Sequence, residues 1–199
     1  MGHCNRGSGS IPDCGKYCMN EQTDKPASAA GRLALPVTPY EVTGYAFGQR
    51  VRRRKILWAR HLGDDIIIPE GTVVFCIGDG KIVRAEIRGG TKEKRNWGGV
   101  VIVEHVNPTT GLLFYSIYGH LTDLAVKQGA SITLGDRIGT VAAGSTPENG
   151  YWKLAHLHFG IYTGPWQHAV LPGYARPFEG RTKFRWWQNP KPFIDSYCT

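Results

Sequence analysis

His156-Leu157-His158 places two imidazoles at alternate positions, and His61-Leu62-Gly63-Asp64-Asp65 places an imidazole and two carboxylates within five residues. Imidazole nitrogen and carboxylate oxygen are both zinc ligands, and three protein ligands leave the fourth tetrahedral position open, as a catalytic site requires. The two clusters together hold enough donors for such a site, and the chemistry they point to is metal-assisted hydrolysis. A third histidine, His120, stands in Tyr118-Gly119-His120-Leu121. Taken singly, each group has a plainer reading: a hydrogen-bonded histidine pair, a polar turn ahead of a strand, a surface histidine.

The elements that must position these groups are mostly strands. Ala155, Leu157, Phe159 and Ile161 alternate with His156 and His158, the two-residue period of a strand, so both imidazoles leave one face. Gly63 and the run Ile66-Ile67-Ile68-Pro69 oppose a helix, so a turn must bring His61 and Asp65 together, with Gly63 supplying backbone angles closed to other residues. Val73–Ile77 and Lys81–Ile87 flank Asp79-Gly80, a tight-turn dipeptide, and are expected to be adjacent antiparallel strands. Val100–Val106 and Leu112–Tyr118 flank Asn107-Pro108-Thr109-Thr110-Gly111 and are expected to form a second hairpin, with His120 at its end. Short runs at Ala125–Val126, Ile132–Leu134 and Arg137–Ala142, broken by Gly129, Gly135 and Gly139, leave little room for helix.

With 199 residues, 26 of them glycine and 12 proline, the chain suits one domain of short strands and many turns. Residues 1–31 are poor in large aliphatic side chains and read as a flexible Cys/Gly/Ser-rich tail; residues 32–199 read as the domain. The formal charge of +8 favours an anionic partner. Much of it lies in Arg50, Arg52, Arg53, Arg54, Lys55 and Arg60, read as a solvated basic loop; no basic helix or stacking motif accompanies it, so nucleic acid is not the expected partner. No apolar run reaches the roughly 18 to 20 residues of a transmembrane helix, and the first residues do not form a signal peptide. Cys76 reads as a buried hydrophobe, whereas Cys4, Cys14, Cys18 and Cys198 leave several disulfide pairings open.

The ordered series of short motifs resembles the lysostaphin or LytM-type zinc metallopeptidases, which cut peptide bridges in bacterial peptidoglycan. Tyr45-Ala46-Phe47-Gly48-Gln49-Arg50 is similar to the family's Phe-Gly-x-Arg segment, and His61-x-Gly63-x-Asp65 to its first metal motif. Gly71-Thr72-Val73-Val74, Val100 to His105, Tyr118-Gly119-His120-Leu121, Val126-Lys127-x-Gly129, Gly135 to Gly139 and His156-Leu157-His158-Phe159 follow in the family's order. The likeness covers roughly residues 36 to 162, leaving 163–199 as a loop-rich extension.

The resemblance implies an antiparallel β-sheet groove, one zinc ion held by His61, Asp65 and His158, and His120 and His156 unliganded beside it. Asp64 is an alternative ligand that the family spacing passes over in favour of Asp65. No His-Glu-x-x-His helix supplies a base, so His156 is the expected proton carrier and His120 the expected oxyanion donor. His105, His168 and His3 are expected to be structural or solvated. The implied activity is endopeptidase cleavage of peptidoglycan cross-bridges or stem peptides by zinc-activated water, in an extracytoplasmic monomer, with anionic wall polymers as a further partner. A catalytically silent wall-binding module of the same fold is the alternative. Ser145–Lys153 departs from the family's Gly/Ser/Thr stretch and is expected to shape the groove, and Trp166, Trp186 and Trp187 are expected to pack on the sheet rather than on sugars.

Overall fold

The computed structural model describes residues 30–176 and 184–197. The expected tail up to residue 29, with Cys4, Cys14, Cys18 and His3, and also Cys198, lies outside the described residues. Among the described residues the strands run β1 (Arg50–Arg53), β2 (Ile56–His61), β3 (Asp64–Ile67), β4 (Val73–Phe75), β5 (Gly80–Arg88), β6 (Gly98–Val106), β7 (Leu113–Thr122), β8 (Ser131–Ile132), β9 (Arg137–Val141), β10 (His156–Tyr162), β11 (Tyr174–Ala175) and β12 (Trp187–Gln188). A short helix, Pro190–Asp195, follows. Every strand pair is antiparallel, and the fold is mostly β as expected. No helix among the described residues is long and apolar enough to cross a membrane.

The large sheet has the order β12-β10-β7-β6-β5-β8, with β3 on the outer side of β10 and β9 joining β4 to β7. Side-chain alternation divides this sheet into two apolar faces. Val101, Val103, Phe114, Tyr118, Leu157, Phe159 and Ile161 point into the larger core, and Val100, Ile102, Tyr115, Ile117 and Tyr162 into a second one. Both faces of β10 are covered, which is why all seven of its residues are buried. Trp187 is buried in the second core, and Trp166 stacks on Tyr115, so the C-terminal aromatics do pack against the sheet.

The expected β6–β7 hairpin is present, with Val106 opposite Leu113. The expected pairing across Asp79-Gly80 is not: β4 pairs with β9, whereas β5 pairs with β6 and β8. The polar groups around that turn are spoken for elsewhere. Cys76 N–H donates to the Asp136 carbonyl, Gly135 N–H donates to the Cys76 carbonyl, and the Asp79 carboxylate accepts from Leu134 N–H. Gly80 is required for close approach rather than for a turn, since a Cβ there would lie 2.3 Å from the Glu104 carbonyl oxygen.

Arg50, Arg52, Arg54, Lys55 and Arg60 are exposed, but the run is not a loop. It forms the β1–β2 hairpin, in which Arg53 faces Ile56 and the two turn residues, Arg54 and Lys55, have φ of 50° and 67°. Two consecutive positive φ values define a type I′ turn, whose twist matches antiparallel strands. The usual Asn-Gly signature is missing, so the hairpin is not visible in the sequence. Cys76 is a buried free thiol, as expected.

Candidate metal centre

His61 closes β2 in the three-stranded sheet β1-β2-β11, whereas Asp65 lies in β3 of the large sheet, so the chain changes sheets at Leu62-Gly63. The expected turn exists, but the expected reason for its glycine does not hold. Gly63 has no positive φ. A Cβ at that position would stand 2.4 Å from the Phe159 carbonyl oxygen and 2.7 Å from His158 Nε2, so glycine is needed because β10 passes directly against the backbone.

On β10, His158 faces Asp65 across the ladder on one side and Gly119 on the other. Asp65 and His158 therefore project from the same face of the sheet. His158 Nδ1 lies 2.9 Å from Asp65 Oδ1, His61 Nε2 lies 3.2 Å from the same oxygen, and the two imidazole nitrogens are 3.1 Å apart. These three atoms form the only His/Cys/Asp/Glu grouping with metal-ligand spacing among the described residues. Zinc bonds of about 2.0–2.1 Å at tetrahedral angles put ligand atoms about 3.3 Å apart, so the triad fits such an ion. All three side chains are buried, and the outward nitrogens, His61 Nδ1 and His158 Nε2, have no hydrogen-bond partner among the described residues. Asp64 points to the other face, where one oxygen accepts from Tyr40 O–H and the other from Phe47 N–H.

Burial by itself would raise the Asp65 carboxyl pKa, but hydrogen bonds and charge from His158 and His61 outweigh it and hold the group well below the usual carboxylate range. Burial lowers His158, although its hydrogen bond to Asp65 works the other way. The triad is therefore a carboxylate between two imidazoles, and burial favours the neutral, metal-binding form of His158.

His120 reaches the site through an irregularity in β7. Gly99 faces Leu121 and Val100 faces Gly119, so His120 is an extra residue bulged out of the ladder, with φ of 65°. Its backbone is fixed by its own N–H to the Trp97 carbonyl and by Ala142 N–H to its carbonyl. Strict alternation would send it into the larger core beside Tyr118, but the bulge turns it to the face that carries His158. Its ring lies 4.4 Å from that of His156 and 6.2 Å from that of His158.

Each of these two free imidazoles donates from Nδ1 to a backbone carbonyl, His120 to Asn149 at 2.9 Å and His156 to Leu154 at 2.8 Å. A carbonyl only accepts, so Nδ1 carries the proton and Nε2 keeps a lone pair. Burial, together with the neighbouring His156 and His158, holds the His120 pKa well below the ordinary value. All five expected site residues are thus brought together. His105 is instead buried on the other face of the sheet, between the Asp79 carbonyl and Ser116 Oγ, and His168 is exposed.

The walls of the site include residues with no signal of their own in the sequence. The Trp97 indole lies over Gly119, where a Cβ would meet it at 2.5 Å, and packs edge-on against His158. Trp152 stacks with Tyr174 and donates from Nε1 to the Asn96 carbonyl, so the segment before the paired histidines does build the groove. Two cavities open on either side of Trp152, one of about 520 Å³ reaching His120 and His158 and one of about 400 Å³ reaching Asp65 and His156.

Known proteins share this arrangement of strands. The chain is 33% identical over 101 residues to the peptidoglycan DD-endopeptidase ShyA of Vibrio cholerae, and 30% identical over 102 residues to an uncharacterized metalloprotease of Buchnera aphidicola. Each match takes in 51% of this chain but only 20% and 23% of those longer proteins. Among solved structures, a zinc-containing peptidase from Vibrio cholerae aligns with a TM-score of 0.53 and 25% identity, over 73% of this chain and 41% of its own. The catalytic domain of lysostaphin from Staphylococcus simulans has the same fold, with a TM-score of 0.50 and 24% identity over 76% of this chain and 90% of that domain. The sequence profile of Peptidase family M23 matches residues 59–170, a span that holds all five histidine and aspartate residues of the site, and the chain belongs to that family, among its lysostaphin and LytM-type members.

Proposed function

We propose that the chain is a zinc-dependent endopeptidase that hydrolyses peptide cross-bridges or stem peptides of bacterial peptidoglycan. The carrying observation is the convergence of His61 Nε2, Asp65 Oδ1 and His158 Nδ1 within 3.2 Å of one another, beside two imidazoles held in a defined tautomer. Membership of a peptidase family supports the reaction class. The wall as target is supported by the likeness to a peptidoglycan DD-endopeptidase and by the +8 charge, which would hold the protein to an anionic wall. Such a substrate implies an extracytoplasmic site of action.

Zinc held by His61, Asp65 and His158 would supply Lewis acidity toward a peptide carbonyl and lower the pKa of a water molecule to about 7. His156 Nε2 has the free lone pair to accept a proton from the attacking water, and the resulting imidazolium returns it to the leaving amine. The balance is water added across the C–N bond: hydroxyl to the acyl carbon, hydrogen to the nitrogen. His120 Nε2 also presents a lone pair, so it would stabilise a developing oxyanion only by taking up, in place of His156, the proton released by the attacking water. Its depressed pKa makes it a weak base and, once protonated, a ready donor. Trp97 packs edge-on against His158 and Trp152 edge-on against His156, so indole surface flanks both imidazoles.

The test is mass spectrometry of fragments released from chemically different peptidoglycans by zinc-loaded protein, with and without a chelator. New amino termini that disappear with the chelator and with His158→Ala support the reading, and digestion by metal-free protein would sink it. Stoichiometric zinc and tight wall binding with no new amino termini would favour the silent binding module.

A further inference from the structure

The two cavities that meet at Trp152 differ in charge. The smaller one is lined by the uncharged side chains Tyr45, Gln49, Ile67 and Leu154, and its charged groups, Lys153, the shared Arg95 and Asp65, include one carboxylate against two cations. The larger one is ringed by Lys92, Lys94, Arg95 and Arg176 against a single carboxylate, Glu93. Lys92, Lys94 and Arg95 form no ion pair among the described residues. Three of these cations come from one loop, and that loop is anchored. Thr91 N–H donates to the Lys94 carbonyl, Lys94 N–H to Thr91 Oγ1, Gly90 N–H to the Pro147 carbonyl and Asn96 N–H to the Gly150 carbonyl. The Arg95 guanidinium lies 4.9 Å from the centroid of the Trp152 ring, at the junction of both cavities.

A solvated basic surface would scatter its cations. Here they surround one arm of a cleft that ends at His120 and His158. Low-dielectric aromatic walls, Trp58, Trp97 and Tyr174, line the same arm and concentrate its field. A guanidinium stacked on an indole keeps its planar fork available to a carboxylate, which lysine alone cannot match.

We propose that this arm recognises free carboxylates of an acidic peptide, so that the preferred substrate has neutral residues on the Tyr45–Leu154 side of the scissile bond and a carboxylate on the Lys92–Arg95 side. The inference rests on the peptide-hydrolase reading of the site and narrows it: a carboxylate-bearing peptide is favoured over an uncharged glycine bridge.

The test uses pairs of capped peptides of equal length that differ only by glutamate or glutamine, placed on either side of the scissile bond. Binding is measured by calorimetry to zinc-loaded His156→Ala protein, and hydrolysis with the wild type. On one side of the bond, glutamate should bind about tenfold more tightly than glutamine at low salt, with the advantage shrinking as ionic strength rises. Lys92→Gln, Lys94→Gln and Arg95→Gln together should bring the ratio close to one, and Arg95→Glu alone should lower it. Equal affinity for the two peptides in the parent protein, or a preference that survives the triple substitution, overturns the proposal. A clear glutamate preference with hydrolysis of neither peptide would leave the carboxylate arm standing and remove the peptidase reading. Equal binding and equal hydrolysis of both would do the reverse.

Discussion

His158 and Asp65 face each other across the β3–β10 ladder, with Nδ1 and Oδ1 2.9 Å apart, so strand register itself assembles two of the three residues that could hold a metal ion. The third member, His61, arrives from the other sheet. Metal that binds only the folded arrangement stabilises it, by about 4 kcal/mol at a thousandfold excess over Kd. Zinc should therefore raise the Tm of the wild type by about 10 °C. Asp65→Asn keeps the size of the side chain but removes the charge, and should lose most of that increment together with stoichiometric zinc. An undiminished zinc-induced shift in calorimetry of Asp65→Asn would remove Asp65 from the ligand set.

His120 is held at φ of 65° by the bulge that turns it toward His156. A residue with a Cβ in the left-handed region costs about 1 kcal/mol or more, and glycine does not incur that cost. His120→Gly should consequently be more stable than His120→Ala by about 1 kcal/mol in urea denaturation, although both lose the imidazole and hydrolysis falls by about a hundredfold or more. Alanine matching or exceeding glycine would mean that the bulge does not persist in solution.

The site's chemistry was legible in the sequence because histidine and aspartate declare their chemistry by type, and because the alternation around His156 and His158 fixes their common face. The hairpin of β6 and β7 was legible because Pro108 and Gly111 interrupt the chain between two apolar runs. What escaped were relations set by packing between distant segments. Asp79-Gly80 carries a turn signature, yet its glycine serves the approach of β5 to the Glu104 backbone, and β4 takes β9 as its partner. Trp97 is unremarkable in sequence, and only the absence of a side chain at Gly119 makes room for it over the site. The cations of the 92–95 loop carry no spacing signal in the sequence, and only the anchored loop sets them around one cavity.

Gly63 separates two roles that glycine can have. Adding a methyl there drives it into the Phe159 carbonyl and His158 Nε2, neither of which can yield without moving β10 or the triad. Gly63→Ala should cost about 1–3 kcal/mol and weaken zinc binding. Gly71→Ala meets no neighbour but has φ of 78°, so it should cost about 1 kcal/mol through backbone strain and leave the zinc titration as in the parent. Calorimetric zinc titration of the two variants distinguishes these outcomes, and equal zinc affinity in both would show that Gly63 does not shape the triad.

His105 gives the fold a pH dependence separate from the metal site, because it lies on the opposite face of the sheet. Its Nδ1–H donates to the Asp79 carbonyl, its Nε2 accepts from Ser116 Oγ, and its ring stacks on Phe114. Burial drives its pKa from 6.5 down to about 4, against the smaller upward pull of the Asp79 carbonyl and charge. Between those values the unfolded chain binds a proton that the folded one refuses, so stability rises with pH across this window. The contribution is complete above pH 6.5 and is lost as pH falls toward 4. Replacing His105 with asparagine removes this titration. Urea denaturation should therefore show the stability gap between parent and His105→Asn narrowing by about 2 kcal/mol from pH 7 to pH 4.5. The other histidines are common to both proteins and cancel in that difference. A gap that stays constant across the window would mean that His105 already holds its proton in the folded chain.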